Sequence, residues 1–142
     1  MKRSFKSLIL LVLFGIMIGF SSLAIALEEA DVEKEFVTFQ HEWMQKLVRN
    51  GKYGRNNAQV KADETQQGLY VASYAELSDP IEYRIKKTDQ QGAPYIGVIK
   101  YKKMTYSSKG KNPEEASRGD YVCDKELIVT EIFRFSGGKW VY

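Results

Sequence analysis

An apolar stripe at helical spacing runs through residues 28–50 and constrains the fold more than any other feature. Five large apolar side chains recur at steps of four, three, four and four residues: Val32, Phe36, Phe39, Trp43 and Leu47. This spacing places them on one face of an α-helix. Acidic residues crowd the first turn, where the helix dipole favours negative charge. Because the stripe is broad and aromatic, we expect it to cover a β-sheet.

Beyond residue 68 the hydrophobic period changes to two, which is the period of a β-strand. We predict strands over four internal segments and at the C-terminus: residues 69–77, 81–87, 95–106, 121–135 and 140–142. The SGGK turn joins the last two strands and sets Phe135 opposite Trp140 and Phe133 opposite Tyr142. The predicted fold class is α+β, with an N-terminal amphipathic helix packed on a curved antiparallel meander sheet of about five strands.

Two polar segments interrupt this pattern, residues 51–68 and 107–120. We predict the first to be a loop that contains at most a short element. In the second, Asn112-Pro113 is predicted to start one helical turn, because proline suits the first helical position.

The first 26 residues have the order of a secretory signal peptide. MKRSFK supplies three positive charges, an apolar run follows from Leu8 to Phe20, and Ala24-Ile25-Ala26 has the A-x-A form of a cleavage site. The alternative is a retained membrane anchor, but the apolar run of 13 residues is shorter than the ~20 that a membrane-spanning helix needs. We therefore predict a cleaved signal peptide over residues 1–26, a single α+β domain over residues 27–142, and export to the bacterial periplasm or the extracellular space.

The positive net charge of the full chain belongs to the signal peptide. The chain has 21 basic and 18 acidic residues, and three of the basic residues (Lys2, Arg3 and Lys6) are lost on cleavage. The mature chain is then neutral, so we expect no nucleic acid partner. We also expect the membrane to be contacted only by the signal peptide, before cleavage.

Charge is nevertheless segregated within the predicted mature chain. Residues 83–112 hold eight basic residues from Arg84 onward and one acidic residue, with tyrosines between them. One interpretation is a binding surface for an anionic envelope polymer, phospholipid head groups or an acidic protein partner. The other is protection of exposed strands against edge-to-edge pairing. The candidate ligand-binding residues are Lys86, Lys100, Tyr101, Lys102 and Trp140.

Glu131 is the candidate catalytic residue. If Val129 and Phe133 face the core, the alternation of the strand places Glu131 on the same side, where an apolar cavity would suit a general acid or base. Two alternatives remain open. A bulge would turn Ile128 and Ile132 inward instead, or Glu131 would form an ion pair with a lysine of a neighbouring strand.

The inventory of reactive side chains is small, with one histidine and one cysteine. We therefore predict no zinc site, no other metal and no cofactor. His41 and Cys123 have the residue types of a nucleophilic pair, but the interpretation that we favour is a solvated helix histidine and a small strand cysteine. Cys123 also leaves open a disulfide between two chains, and with it a homodimer or an assembly subunit.

A long N-terminal helix followed by a curved antiparallel meander resembles the cystatin-like and nuclear-transport-factor-2-like superfolds. In many members of the latter, a last strand that ends in a glycine turn and a tryptophan is similar to EIFRFSGGKW at residues 131–140. Enzymes of that class carry acids inside a cone-shaped cavity, which is the role that the resemblance implies for Glu131. The chain lacks the additional helices usual before the first strands of that fold. It also lacks the Q-x-V-x-G loop of cystatins, since residues 59–63 misplace the valine, so we do not expect inhibition of thiol proteases.

The function predicted from the sequence is that of a small exported, non-catalytic domain that binds an unknown anionic ligand or a protein partner in the cell envelope. The alternative is a small cavity-type enzyme that uses Glu131 as general acid or base. Folds of this kind host many functions, so the choice depends on the site and not on the fold.

Overall fold

The structure, a computed structural model, describes residues 28–142, and the predicted signal peptide of residues 1–26 lies outside the described part of the chain. The described residues fall into two compact units, which divide between Val37 and Thr38. Helix α1 covers residues 28–50. A 3-10 turn and seven further elements follow: Arg55–Asn57, β1 Gln59–Ala62, β2 Tyr70–Leu77, β3 Glu82–Lys87, β4 Tyr95–Gly110, α2 Pro113–Arg118, β5 Val122–Ser136 and β6 Lys139–Val141. One long helix with an antiparallel sheet confirms the predicted α+β class.

Helix α1 buries part of the predicted apolar stripe. Val32 and Phe36 are buried in the first unit. In the second unit the rings of Phe39 and Trp43 meet Phe133 of β5 edge to face, with centroids 4.9 and 5.3 Å apart. Residues 38–50 of α1 therefore lie on one side of the sheet, which we call the helix face.

All strand pairs of the described sheet are antiparallel, in the order β1-β2-β4-β5-β6, with β3 paired to β4 as well. The 16-residue strand β4 pairs with β3 through residues 95–100 and with β2 through residues 103–110. Strands β2 and β3 therefore lie end to end along the same edge of β4. This arrangement differs from a simple meander, and β1 adds a sixth strand inside the segment predicted to be mainly loop.

Burial along β4 changes sides partway along the strand. Tyr95, Ile99 and Tyr101 are buried in its first half, and Ser108 and Gly110 in its second half. Because successive side chains of a strand point to opposite sides, the odd-numbered residues of the first half lie on the helix face, together with Phe133, and the even-numbered residues face the other way. In the second half, α2 covers that other side. In the first half, the even-numbered side chains form a surface that we call the outer face.

Candidate functional site

Glu131 lies on the helix face of β5, on the same side as Phe133. The β4–β5 ladder pairs Glu131 with the buried Ile99, and residues opposite each other in an antiparallel ladder project to the same side. The side chain of Glu131 is half-buried. The alternative arrangement with Ile128 and Ile132 turned inward is wrong, because these side chains are 64% and 62% exposed.

Both carboxylate oxygens of Glu131 accept hydrogen bonds from aromatic side chains. The Tyr101 hydroxyl donates to Oε1 at 2.8 Å, and the indole Nε1–H of Trp43 donates to Oε2. The partners are therefore a tyrosine and a tryptophan, not the strand lysine considered as an alternative. Burial, together with the hydrogen bond to Glu131, raises the pKa of Tyr101, so the phenol stays protonated as a donor. The carboxylate thus ties α1, β4 and β5 together.

A cluster of aromatic rings extends from Trp43 to the C-terminus. Trp43 stacks on Tyr142 with centroids 5.2 Å apart, and Tyr142 meets Phe133 edge to face at 5.8 Å. The β5–β6 ladder pairs Phe135 with Trp140, as predicted from the SGGK turn. Trp140 is buried. The C-terminal hairpin is therefore part of the core on the helix face.

The outer face combines basic and apolar side chains from three strands. Direct ladder partners share a side of the sheet, so the β3–β4 and β4–β5 registers define its members. From β3, β4 and β5 in turn these are Glu82, Arg84, Lys86, Ile96, Val98, Lys100, Lys102, Ile128, Thr130, Ile132 and Arg134. Five of these side chains are basic, one is acidic and four are aliphatic, and Glu126 adds a second acidic side chain at the border of the face, beside Lys102. The face therefore concentrates the charge segregation that the sequence shows.

Two lysines of the outer face form ion pairs. Lys100 Nζ lies 3.0 Å from Glu82 and Lys102 Nζ lies 2.8 Å from Glu126. The hydrogen bond from Lys100 is the main cause that lowers the pKa of Glu82. These pairs are partly exposed to solvent, where such contacts contribute little to stability. Their lysines therefore remain accessible to an external anion.

The structure separates the residues predicted to bind ligand. Lys86, Lys100 and Lys102 lie together on the outer face. Tyr101 and Trp140 are buried on the helix face, at 4% and 6% exposure. The strands thus bring the three lysines into one surface and place the two aromatic residues on the opposite side of the sheet.

The exposed isoleucines are the part of this surface that sequence reasoning missed. In LIVTEIF, residues 127–133, apolar residues stand on both sides of the strand, so a period of two does not reveal which side is buried. The sequence did carry one signal for an exposed apolar surface. Apolar residues stand on both sides of this strand, and another element covers only one of those sides. Ile128 and Ile132 are the exposed members of this pattern on the outer face, and Leu127 is 47% exposed on the other side of the strand.

A concavity lies between the C-terminal half of α1 and the end of β2. It has a volume of about 430 Å³, and its apolar walls are Met44, Val48 and Leu77. His41 borders this cleft and is hydrogen-bonded to Gln45 of the same helix at 2.9 Å. Cys123 is exposed near the start of β5. A disulfide between two chains therefore stays an open alternative.

Within residues 28–142, no three side chains of His, Cys, Asp or Glu are grouped so that they could hold a metal ion. None of the helices in the same part of the chain has the length and apolar character needed to cross a membrane. Comparisons of the chain with protein-family models, curated proteins and solved structures found no match. The resemblance to the cystatin-like and nuclear-transport-factor-2-like superfolds therefore stays a prediction.

Proposed function

We propose that residues 27–142 form an exported domain of the bacterial cell envelope, with α1 as its first element packed on a curved sheet, and that this domain binds an anionic partner on its outer face. The observation that carries the proposal is the exposure of Ile128 and Ile132, at 64% and 62%, among basic side chains. Exposed apolar side chains rimmed by polar ones mark interaction sites. The surrounding positive charge selects a partner of negative charge.

The position of the basic residues argues against edge protection as their main role. Basic side chains prevent edge-to-edge pairing when they lie at an edge of the sheet. Of the basic residues of the outer face, only Arg84 and Lys86 lie at an edge, on β3. Strand β4 lies between β5 on one side and β2 and β3 on the other, and β5 is paired on both sides at residues 134–136, so Lys100, Lys102 and Arg134 protect no edge. Binding explains their placement in the middle of the sheet.

A pair of charge-reversed variants tests the proposal. Lys86→Glu/Arg134→Glu reverses two exposed charges of the outer face, and Lys61→Glu/Lys111→Glu makes the same change in net charge at exposed positions elsewhere. The probes are soluble polyglutamate and vesicles of phosphatidylglycerol. We expect the outer-face variant to bind the recognised probe at least tenfold more weakly than the control variant.

Two results contradict the proposal. The first is that the unmodified protein binds neither probe. The second is that both double variants lose affinity equally, which would mean that net charge and not the outer face determines binding.

The second candidate function is catalysis by Glu131, and the observation that favours it is the contact of its carboxylate with the polar groups of Tyr101 and Trp43. These donors would orient the carboxylate towards a substrate. The indole N–H resonance of Trp43, one of two tryptophans in the chain, reports on this site directly. The experiment screens small molecules from an envelope extract for those that shift this resonance. If the site is catalytic, the protein converts such a molecule and the Glu131→Gln variant does not. If no molecule that shifts the resonance is converted, this candidate is lost.

A further inference from the structure

We propose that the partner of the outer face is the surface of an anionic phospholipid bilayer. This inference rests on the proposed function and names the partner of the same site. It departs from the sequence-based expectation that only the signal peptide contacts the membrane. The observations that carry it are the geometry of the two exposed isoleucines, the basic side chains beside them and the residue types of the face.

Ile128 and Ile132 project from the same side of β5 and are four residues apart, which corresponds to about 13 Å along a strand. Their ladder partners on β4 are Lys102 and Val98. The first isoleucine therefore stands beside a long basic side chain and the second beside another aliphatic side chain. Together they form an apolar row that can enter the interface of a bilayer without deep insertion.

The basic residues lie where they can reach the head groups of the same bilayer. Lys100 neighbours the row from β4, and Arg134 follows Ile132 on the same side of β5. Long basic side chains bury their methylene groups along apolar surface and keep their charge at the polar interface. A cluster of them next to apolar side chains recognises anionic lipid, because the leaflet carries a negative surface potential.

The residue types favour a bilayer over an acidic protein or a soluble polyanion. Interfaces between proteins obtain most of their affinity from buried Trp, Tyr and Arg side chains. The ladders place Arg84 and Arg134 on the outer face but no Trp or Tyr, and Tyr83 only borders the face beside Arg84 and Val98. A soluble polyanion would use the positive charges and leave Ile128 and Ile132 exposed. A bilayer accounts for both the charge and the isoleucines.

Vesicle flotation tests the inference, with protein purified from the exported fraction and with its N-terminus determined by mass spectrometry. All variants then share one N-terminus, so differences between them are independent of any leader. The lipid variant is Ile128→Thr/Ile132→Thr, which keeps a β-branched side chain in the strand. The control is Val122→Thr, at a residue of β5 that is 66% exposed and lies outside the outer face.

We expect binding to phosphatidylglycerol vesicles at least tenfold tighter than to phosphatidylcholine vesicles. The double isoleucine variant should bind phosphatidylglycerol vesicles at least tenfold more weakly than the Val122→Thr protein, with unchanged binding to polyglutamate. A thermal melt of each variant confirms that it is folded. If a variant is not folded, Ile128→Thr alone takes its place, with an expected loss of at least threefold.

The outcomes separate this inference from the proposed function. Binding to polyglutamate with no binding to vesicles overturns the bilayer as partner and leaves the proposed function standing. Vesicle binding that is insensitive to the isoleucine substitutions also overturns the inference. Failure to bind either probe overturns both, and capture of an acidic protein in place of vesicles would identify a different class of partner.

Discussion

The hydroxyl of Tyr101 donates a hydrogen bond of 2.8 Å to Oε1 of Glu131, across the ladder that joins β4 to β5. Tyr101 is 4% exposed, so water has little access to this hydrogen bond. The other oxygen of Glu131 accepts from Trp43 of α1. A single carboxylate therefore satisfies donors from a helix and from a strand, and removing it would leave both donors without that partner.

Replacing Glu131 by an apolar residue should destabilise the fold more than replacing it by its amide. In Glu131→Gln the amide oxygen can accept from Trp43 while the amide nitrogen donates to Tyr101, so we expect a loss below about 1 kcal/mol. Glu131→Leu leaves both donors unpaired and should cost about 2–6 kcal/mol, at about 1–3 kcal/mol for each unpaired group. Urea denaturation measures both, and Thr130→Leu on the exposed opposite side of β5 is the control. Equal stability of the Gln and Leu variants would contradict this role.

The stability of the fold should fall at alkaline pH through Tyr101. Burial and the hydrogen bond to Glu131 raise the pKa of this phenol above its ordinary value of 10.0, so the folded state holds the proton more tightly than the unfolded state. Its contribution to stability is complete below about pH 10 and is lost as the pH rises towards the folded pKa. In Tyr101→Phe the decline above pH 10 should be shallower than in the unmodified protein, and an equal decline in both would contradict this role of Tyr101. Thermal melts between pH 8 and pH 11 provide the measurement.

Gly110 should not tolerate a methyl group, because β4 and α2 approach closely at this point. A Cβ at Gly110 would lie 2.3 Å from the backbone nitrogen of Ala116. Helix α2 begins at Pro113, directly after the short connection of Lys111 and Asn112 that follows Gly110, so the helix cannot move away freely. We expect Gly110→Ala to cost about 1–3 kcal/mol. Gly92→Ala, where a Cβ would meet nothing within 4 Å, should be neutral in the same denaturation experiment.

At acid pH, Asp63 should contribute to the loss of stability. The hydrogen bond from Lys109 and those from Thr65 lower the pKa of this carboxyl group well below its usual range. The stabilisation is therefore complete above about pH 4, the ordinary value for an aspartate, and is lost as the pH falls towards the folded pKa. Asp63→Asn should have a shallower decline between pH 4 and pH 2 than Asp89→Asn, a control at an exposed turn. The same slope in both variants would rule out a special role for Asp63.

The C-terminal hairpin was predictable because its determinants are close together in the chain. Gly137 and Gly138 both adopt positive φ angles, of 59° and 76°, which a two-residue turn between strands requires. That turn fixes the pairing of Phe135 with Trp140. The alternation of side chains along β5 also predicted correctly that Glu131 lies on the same side as Phe133.

The partners of Glu131 were not predictable, because they depend on contacts between distant parts of the chain. Trp43 and Tyr101 are 88 and 30 residues away from Glu131 in sequence. Nothing local distinguishes a carboxylate held by these two donors from one that pairs with a strand lysine. Strand β4 also extends beyond the predicted strand of residues 95–106, to Gly110. Its full length allows β2 and β3 to pair along the same edge.

The sequence by itself therefore determined the elements: the amphipathic helix, the alternating strands and the glycine turn, each of which depends on spacings of a few residues. The tertiary structure alone decided which side of each strand is covered. In β5 both sides carry aliphatic residues, and only the packing of α1 against Phe133 makes one side the core and leaves Ile128 and Ile132 at the surface. The physical reason is that burial depends on where another element comes to lie, and strand periodicity carries no information about that position.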